Sequence, residues 1–297
     1  MRFGLFGAGP WARMAHAPAL AAHPRAELVG VWGRDVTKAT ALADEYGAAA
    51  YPEIDDLLAD VDAVAVALPP DVQADVALRA ARAGRHLLLD KPVAFTVDDA
   101  EAIAGEVEAR GLASVVFFTI RFQPEVESFL AATAGRPGWY EARVDHLGSI
   151  FEPGNPFGES PWRRERGGLF DVGPHALSLV LPVLGPVTEV TALEGPRATT
   201  HVLLRHAGGA VSTLTLSVDA PEAAARHEVV FHGEPGRADL PSGSGTPVQA
   251  LGRAVDQLLA AAAGGARPAC DVRFGADVVA VVAAARESVL QGRTVRL

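Results

Sequence analysis

Gly7, Gly9 and Ala12 fill the three small-residue positions of a G-x-G-x-x-G/A turn behind the apolar run Arg2 to Phe6. In that spacing the first glycine lets the chain turn tightly off a strand. The second removes the side chain that would hold a pyrophosphate away from the backbone, and the small third residue lets the next helix lie close on the sheet. A helix opening at Pro10 presents N–H groups and a partial positive charge to a phosphate, and proline suits a first helical turn because no amide hydrogen is needed there. Ala8, Pro10 and Trp11 complete this candidate dinucleotide cradle. A second apolar strand, Glu27 to Trp32, begins about 20 residues on, as a dinucleotide-binding unit requires.

Two further points carry titratable groups. Lys91 stands where the apolar strand His86 to Leu89 runs into Asp90-Lys91-Pro92. A lysine beside an apolar pocket and a cationic nicotinamide has a lowered pKa and exchanges a proton; a solvated loop lysine accounts for the same residue equally well. Asp171 and His175 stand four apart in Gly167-Gly-Leu-Phe-Asp171-Val-Gly-Pro-His175, one face of a helical turn. A carboxylate beside an imidazole orients it and makes it more basic, as a general acid/base needs. A structural Asp–His hydrogen bond near a helix cap explains that spacing too. The nine histidines show no metal-ligand spacing, so no metal is expected.

The end of the second strand bears on the cofactor's ribose. An acidic residue there accepts hydrogen bonds from a 2′-hydroxyl, whereas an arginine accommodates a 2′-phosphate. Gly33 occupies the usual acidic position, and Arg34 follows with Thr37 and Lys38 behind it. This favours NADP, with Arg34 and Lys38 as its contacts. Asp35 keeps NAD open, although its simpler role is the N-cap of a helix over Val36 to Tyr46. Leu68-Pro69-Pro70 stops the strand Asp62 to Leu68 at its carboxyl end, where open α/β sheets bind ligands. Leu68, Pro69, Pro70, Gln73, Asp90 and Lys91 are therefore candidate cofactor contacts.

These residues need a doubly wound parallel sheet to position them, and strands alternate with helices throughout the first part of the chain, as such a sheet demands. The helix after the glycine turn is expected to break near Pro18. Helices are expected over Asp71 to Ala83 and Thr96 to Arg110, and a strand over Ala113 to Thr119 closes a dinucleotide-binding domain of residues 1–119. Residues 120–297 form a second α/β domain with a large open, mostly antiparallel sheet, and its C-terminal segment packs back on the body. Trp139 to Leu147 alternates like a strand, with Tyr140, Ala142, Val144 and His146 on one face. Ile150 to Arg166, rich in proline, glycine and aromatics, reads as a long loop suited to covering a substrate. Five strands between Thr188 and Leu240 read as antiparallel, with Gly208-Gly209 as a hairpin turn. Helices over Val248 to Ala263 and Asp271 to Gln291 follow. One face of the large sheet lacks helical cover, which points to a homodimer or homotetramer.

At 297 residues, 49% hydrophobic and 21% charged, the chain is globular and long enough for two domains. A formal net charge of -10 argues against a general nucleic-acid or anionic-membrane binder. Cys270 is the sole cysteine, so a reducing cytoplasm is expected. No uncharged run reaches the length of a membrane span, and no leader is evident.

Nearly the whole chain resembles the Gfo/Idh/MocA oxidoreductases, the family of glucose–fructose oxidoreductase and inositol dehydrogenase. The resemblance rests on the glycine turn, on Leu68-Pro69-Pro70 with its alanine-rich helix, and on Ala83-Gly84-Arg-His-Leu-Leu-Leu-Asp90-Lys91-Pro92. Arg121-Phe122-x-Pro124, Trp162-Arg163, Gly167-Gly168-x-x-x-Asp171-x-Gly173-x-His175 and the ending Gly292 to Leu297 complete it. It implies hydride transfer between a nicotinamide and a sugar, cyclitol or related alcohol, and a large sheet that mediates oligomerisation. It also implies that Lys91 binds substrate and relays a proton, that His175 is the acid/base, and that Asp171 works beside it, with Arg121, Trp162 and Arg163 as further substrate contacts. Asp90 in place of glutamate, Gln73 in place of histidine and Ser178 in place of aspartate depart from the family pattern. The expected function is an NAD(P)-dependent oxidoreductase. The alternatives are a non-catalytic NAD(P)-binding sensor and a glycosidase or epimerase with an internal redox cycle.

Overall fold

The computed structural model describes all 297 residues, which divide into two compact units. The first comprises Met1–Phe122 and Gly245–Ala276; the second comprises Gln123–Ser244 and Asp277–Leu297. The division thus falls at Phe122 instead of residue 119, and part of the C-terminal segment belongs to the first unit.

The first unit is built on β1 (Arg2–Phe6), β2 (Glu27–Trp32), β3 (Ala49–Ala50), β4 (Ala63–Val66), β5 (His86–Asp90) and β6 (Ser114–Phe117). They form a six-stranded sheet in the order β3-β2-β1-β4-β5-β6, and every pair is parallel. That order reverses beside β1, the switch point at which such sheets bind ligands. β4 and β6 are buried at every residue, because helices cover both faces of a parallel sheet and leave no polar side. The intervening helices are α1 (Ala17–Ala22), α2 (Val36–Glu45), α3 (Ile54–Ala59), α4 (Pro70–Arg82) and α5 (Val97–Ala109). The expected break near Pro18 is instead absorbed: Ala12–His16 form a wider π turn, and the Ala17 N–H bonds the Ala12 carbonyl. Proline has no N–H for the carbonyl four residues back, and a π turn shifts the pattern by one without ending the helix.

In the second unit, α6 (Pro124–Ala134) leads to β7 (Trp139–Leu147), α7 (Pro161–Asp171) and α8 (Gly173–Leu184). Then come β8 (Val187–Glu194), β9 (Thr200–His206), β10 (Val211–Ser217), β11 (Arg226–Gly233) and β12 (Gly236–Asp239). Helix α9 (Pro247–Ala262), with a Thr246/Gln249 capping box, belongs to the first unit, where its buried Ala250, Leu251, Ala254, Val255 and Leu258 supply helical cover. Helix α10 (Val272–Gln291) then carries the chain to β13 (Val295–Arg296).

The second sheet has seven strands in the order β12-β11-β7-β10-β9-β8-β13. The expected antiparallel pairing holds for β8 with β9, β9 with β10 and β11 with β12, but not as one continuous run. Instead β7 inserts between β11 and β10, and its pairing with β10 is parallel. A parallel pair needs a crossover, and the segment through α7, α8, β8 and β9 provides it. One face of the sheet buries Ala142, Val144, Val202, Leu204, Leu214, Leu216, Val229 and Phe231, and α8 packs on β7 and β10. On the other face Leu193 is 67% exposed and Leu203 47%. Residues Pro161–Leu184 are long and apolar enough to cross a membrane by length and composition alone. They read as core instead: 78% of the apolar window is buried, and Gly167 bends the chain.

Candidate active site

β2, β1, β4 and β5 are parallel neighbours, so the turns after them lie side by side at one edge of the first sheet. Gly33-Arg34, the Gly7–Ala12 turn, Leu68-Pro69 and Asp90-Lys91 all occupy that edge. Gly7 has φ 128°, and a Cβ there would stand 2.3 Å from the Ala67 carbonyl oxygen, so only glycine fits. Gly9 is the opposite case. A Cβ on it would meet no protein atom within 4 Å, and its carbonyl accepts the Arg13 N–H at 3.1 Å to open the helix. Open space beside a helix N-terminus is what a pyrophosphate requires, so these residues fit a dinucleotide.

At the ribose end, a Cβ on Gly33 would sit 3.3 Å from Ala8 Cβ and 3.4 Å from Ala39 Cβ. An acidic side chain at this position would have to push its neighbours aside. Asp35 caps α2 by accepting the Lys38 N–H at 3.1 Å, and that bond holds its carboxyl below the usual range. Its other oxygen lies 3.5 Å from Lys38 Nζ. Arg34 is exposed.

The Asp90–Val93 loop is held from within by Gln73 of α4. Gln73 Nε2 donates to the carbonyls of Asp90 at 2.8 Å, Pro92 at 3.0 Å and Val93 at 3.2 Å, while its Oε1 accepts the Asp90 N–H at 2.9 Å. The Lys91 N–H donates to Asp90 Oδ1 at 2.8 Å, the Lys91–Pro92 peptide is cis, and Lys91 itself is half-buried. The expectation that Gln73 touches the cofactor is corrected here. Its side chain is wholly buried and committed to the backbone of Asp90, Pro92 and Val93, so it braces the loop that carries Lys91. Pro70 likewise is buried, in the first turn of α4. Trp11 stacks near Phe117, with centroids 6.3 Å apart, and Arg121 in the turn Thr119–Phe122 lies 5.9 Å over the Phe274 ring.

In the second unit, the expected loop over Ile150 to Arg166 is helical from Pro161, which stands in the first turn of α7 with Ser160 as N-cap. Trp162 and Arg163 therefore lie on a helix. Gly167, at φ 64°, turns the chain, and Gly168 lets it settle on β10, since a Cβ there would stand 2.6 Å from Ser217 Cα. This close approach fixes the end of α7. Asp171 ends that helix and His175 sits in the first turn of α8, so the two lie across a junction at Val172. Asp171 is buried, and its Oδ2 accepts Arg163 Nε at 3.0 Å. The Arg163 guanidinium lies 4.5 Å over Trp162 and 5.3 Å over Phe157. Arg163 thus anchors Asp171, a role its sequence position beside Trp162 does not reveal. Ser178, fully buried, donates to the His175 carbonyl at 2.7 Å.

Sequence reasoning missed the company His175 keeps. Its ring centroid is 5.9 Å from that of His146, which is 4.5 Å from that of His227. Alternation along β7 picks out the face His146 is on, but the pairing of β7 with β11 is not local in sequence.

Residues 1–118 match the model of the oxidoreductase family with an NAD-binding Rossmann fold, and residues 131–239 match the C-terminal domain of the Gfo/Idh/MocA family. A dTDP-3,4-didehydro-2,6-dideoxy-alpha-D-glucose 3-reductase of Streptomyces antibioticus is 31% identical over 256 residues, which cover 81% of this chain and 75% of the relative. A D-xylose 1-dehydrogenase (NADP(+)) of Haloferax volcanii is 30% identical over 75% of this chain and 71% of its own length. Among solved structures, GenD2 from gentamicin A biosynthesis, in complex with NAD, superposes with a TM-score of 0.88 at 24% identity, covering 100% of this chain and 96% of the other, a likeness of fold. With a glycine cradle at the switch point, a loop lysine, an Asp–His junction and relatives of this kind, the chain belongs to the Gfo/Idh/MocA family and is an NAD(P)-dependent oxidoreductase.

Proposed function

We propose that the chain transfers a hydride between a nicotinamide dinucleotide, NADP in preference to NAD, and a carbinol carbon of a sugar, cyclitol or related polyhydroxy molecule. The observation that carries this reading is the alignment of the Gly7–Ala12, Leu68-Pro69 and Asp90-Lys91 turns on adjacent strand ends. The sugar reductase and xylose dehydrogenase among the relatives support the substrate class.

When bound, the nicotinamide accepts or returns the hydride. The Gly7–Ala12 turn holds the pyrophosphate, and Leu68, Pro69 and Asp90 line its path. Arg34 and Lys38 pair with the 2′-phosphate, and Gly33 offers no carboxylate to repel it. Lys91 holds the substrate hydroxyl oxygen through its ammonium. His175 takes the hydroxyl proton in oxidation and returns it in reduction, with its orientation set by Asp171, which Arg163 in turn fixes. Trp162 and Arg121 are further substrate contacts. Orientation of both reactants in a water-poor site supplies much of the acceleration. The open face of the second sheet suits a homodimer or homotetramer, and the lone buried Cys270 suits the cytoplasm.

A panel of sugars and cyclitols assayed with both cofactors tests the reading. The expected result is net nicotinamide reduction with at least one polyol, faster with NADP. Cofactor retained through purification with no net reduction by any polyol overturns it in favour of an internal redox cycle or a sensor.

A further inference from the structure

His146 and His227 stand directly opposite each other where β7 pairs with β11. Their rings meet edge to face, at 61° with centroids 4.5 Å apart. On its other side the His146 ring approaches His175, tilted 33° at 5.9 Å, where α8 packs on β7. The order is therefore His175, His146, His227. His175 and His146 are half-buried, while His227, the second residue of β11, is exposed.

A proton taken by His175 from a substrate hydroxyl must reach solvent before the next turnover. A neutral imidazole can accept a proton on one nitrogen and release one from the other, which no other side chain does near neutral pH. We propose that His146 and His227 form the exit route for that proton: His175 hands it to His146, with one water between, and His146 to His227, which releases it to solvent. In reduction the same path runs inward. One proton moves at each step and no electrons do. The inference rests on the hydride-transfer reading above and extends it to residues on which that reading makes no demand.

The surroundings favour passage over storage. Partial desolvation of the His227 ring against its neighbours pushes its pKa below the ordinary value, which favours release of the proton at its exposed side. Leu216 on β10 stands beside His146 in register and offers no competing charge. The charged groups of these strands, Asp145, Arg226 and Glu228, alternate onto the opposite face, where Arg226 pairs with Asp145 at 3.4 Å. On the helical side the Asp171 carboxylate is already paired with Arg163.

The test measures kcat at fixed pH and ionic strength against the concentration of a small imidazole buffer, for wild type and for H146Q, H146F and H227F, with the best polyol of the panel. Wild type should not respond to buffer. Each variant should lose about 10²-fold in kcat, the low end for removal of a proton-transfer group, and recover it as buffer rises, with cofactor Kd unchanged. Because His227 is exposed, H227F keeps the test valid if a His146 variant misfolds. Variants that keep full kcat, or lose it with no response to buffer, overturn the relay while the hydride-transfer reading stands. A wild type that turns over no polyol overturns that reading itself.

Discussion

Two glycines two residues apart, Gly7 and Gly9, make opposite demands that a single methyl group separates. At Gly7 an added Cβ meets a backbone oxygen at 2.3 Å and the φ of 128° excludes it, whereas at Gly9 it meets nothing of the protein. Gly7→Ala should therefore lower thermal stability by a strain on the order of 1–3 kcal/mol. Gly9→Val should leave stability within about 0.5 kcal/mol of wild type while weakening cofactor binding. Calorimetry alongside cofactor titration separates the two, and a Gly9→Val protein that binds cofactor normally would remove the pyrophosphate from that turn. At the ribose end, Arg34→Asp should shift preference from NADP toward NAD by tenfold or more, since a charge-assisted hydrogen bond contributes about 1.5–3 kcal/mol. The ratio of kcat/KM for the two cofactors reads this directly.

At the scale of elements, the site depends on loops and helix ends braced by buried polar groups. Gln73 ties α4 to the turn after β5 through bonds to both the N–H and the carbonyl of Asp90. Gln73→Ala orphans these buried groups, and each costs about 1–3 kcal/mol. Stability should fall by that order, and kcat should fall as Lys91 loses its seat, with KM for the cofactor little changed. A drop in Tm with unaltered kcat would show that the loop holds Lys91 without Gln73. How much of these elements was legible in the sequence varies with what determines them. β1 and β2 match their expected bounds because short apolar runs between a glycine turn and polar segments leave few alternatives. The N-cap Asp35 was equally local, as its side chain bonds the N–H three residues on. Helix α7 was hidden because Pro161 and the aromatics around it read as loop, although proline after Ser160 is also how a helix begins. The parallel pairing of β7 with β10, and with it the neighbours of His175, follows from contacts between distant segments that no local pattern encodes.

At the scale of the whole molecule, stability should carry the signature of one buried imidazole. His16, in the π turn behind the glycine cradle, is fully buried beside Trp11 and Phe117, and burial lowers its pKa to about 4. Its folded pKa lies below the unfolded value near 6.5, so the unfolded chain binds the extra proton first. Stability is therefore full above about pH 6.5 and declines as pH falls toward 4, by about 3 kcal/mol in total. Unfolding free energies of wild type and His16→Gln across this range should converge as pH falls; parallel curves would mean that the imidazole is hydrated in the folded state. The open face of the second sheet sets a second expectation: Leu203→Arg should convert a dimer or tetramer to monomer in sedimentation equilibrium. A wild type already monomeric would leave that face without a partner.

The central claim is that Lys91 and His175 do the proton chemistry for hydride transfer on a polyol. The most direct measurement is kcat with the best polyol for wild type, Lys91→Ala and His175→Ala, with cofactor Kd measured on the same proteins. The account predicts a loss of about 10²–10⁴ in kcat for each variant, the range for removal of a general acid or base, with cofactor binding near normal. Variants that keep wild-type kcat, or that lose cofactor binding in proportion to activity, would contradict it.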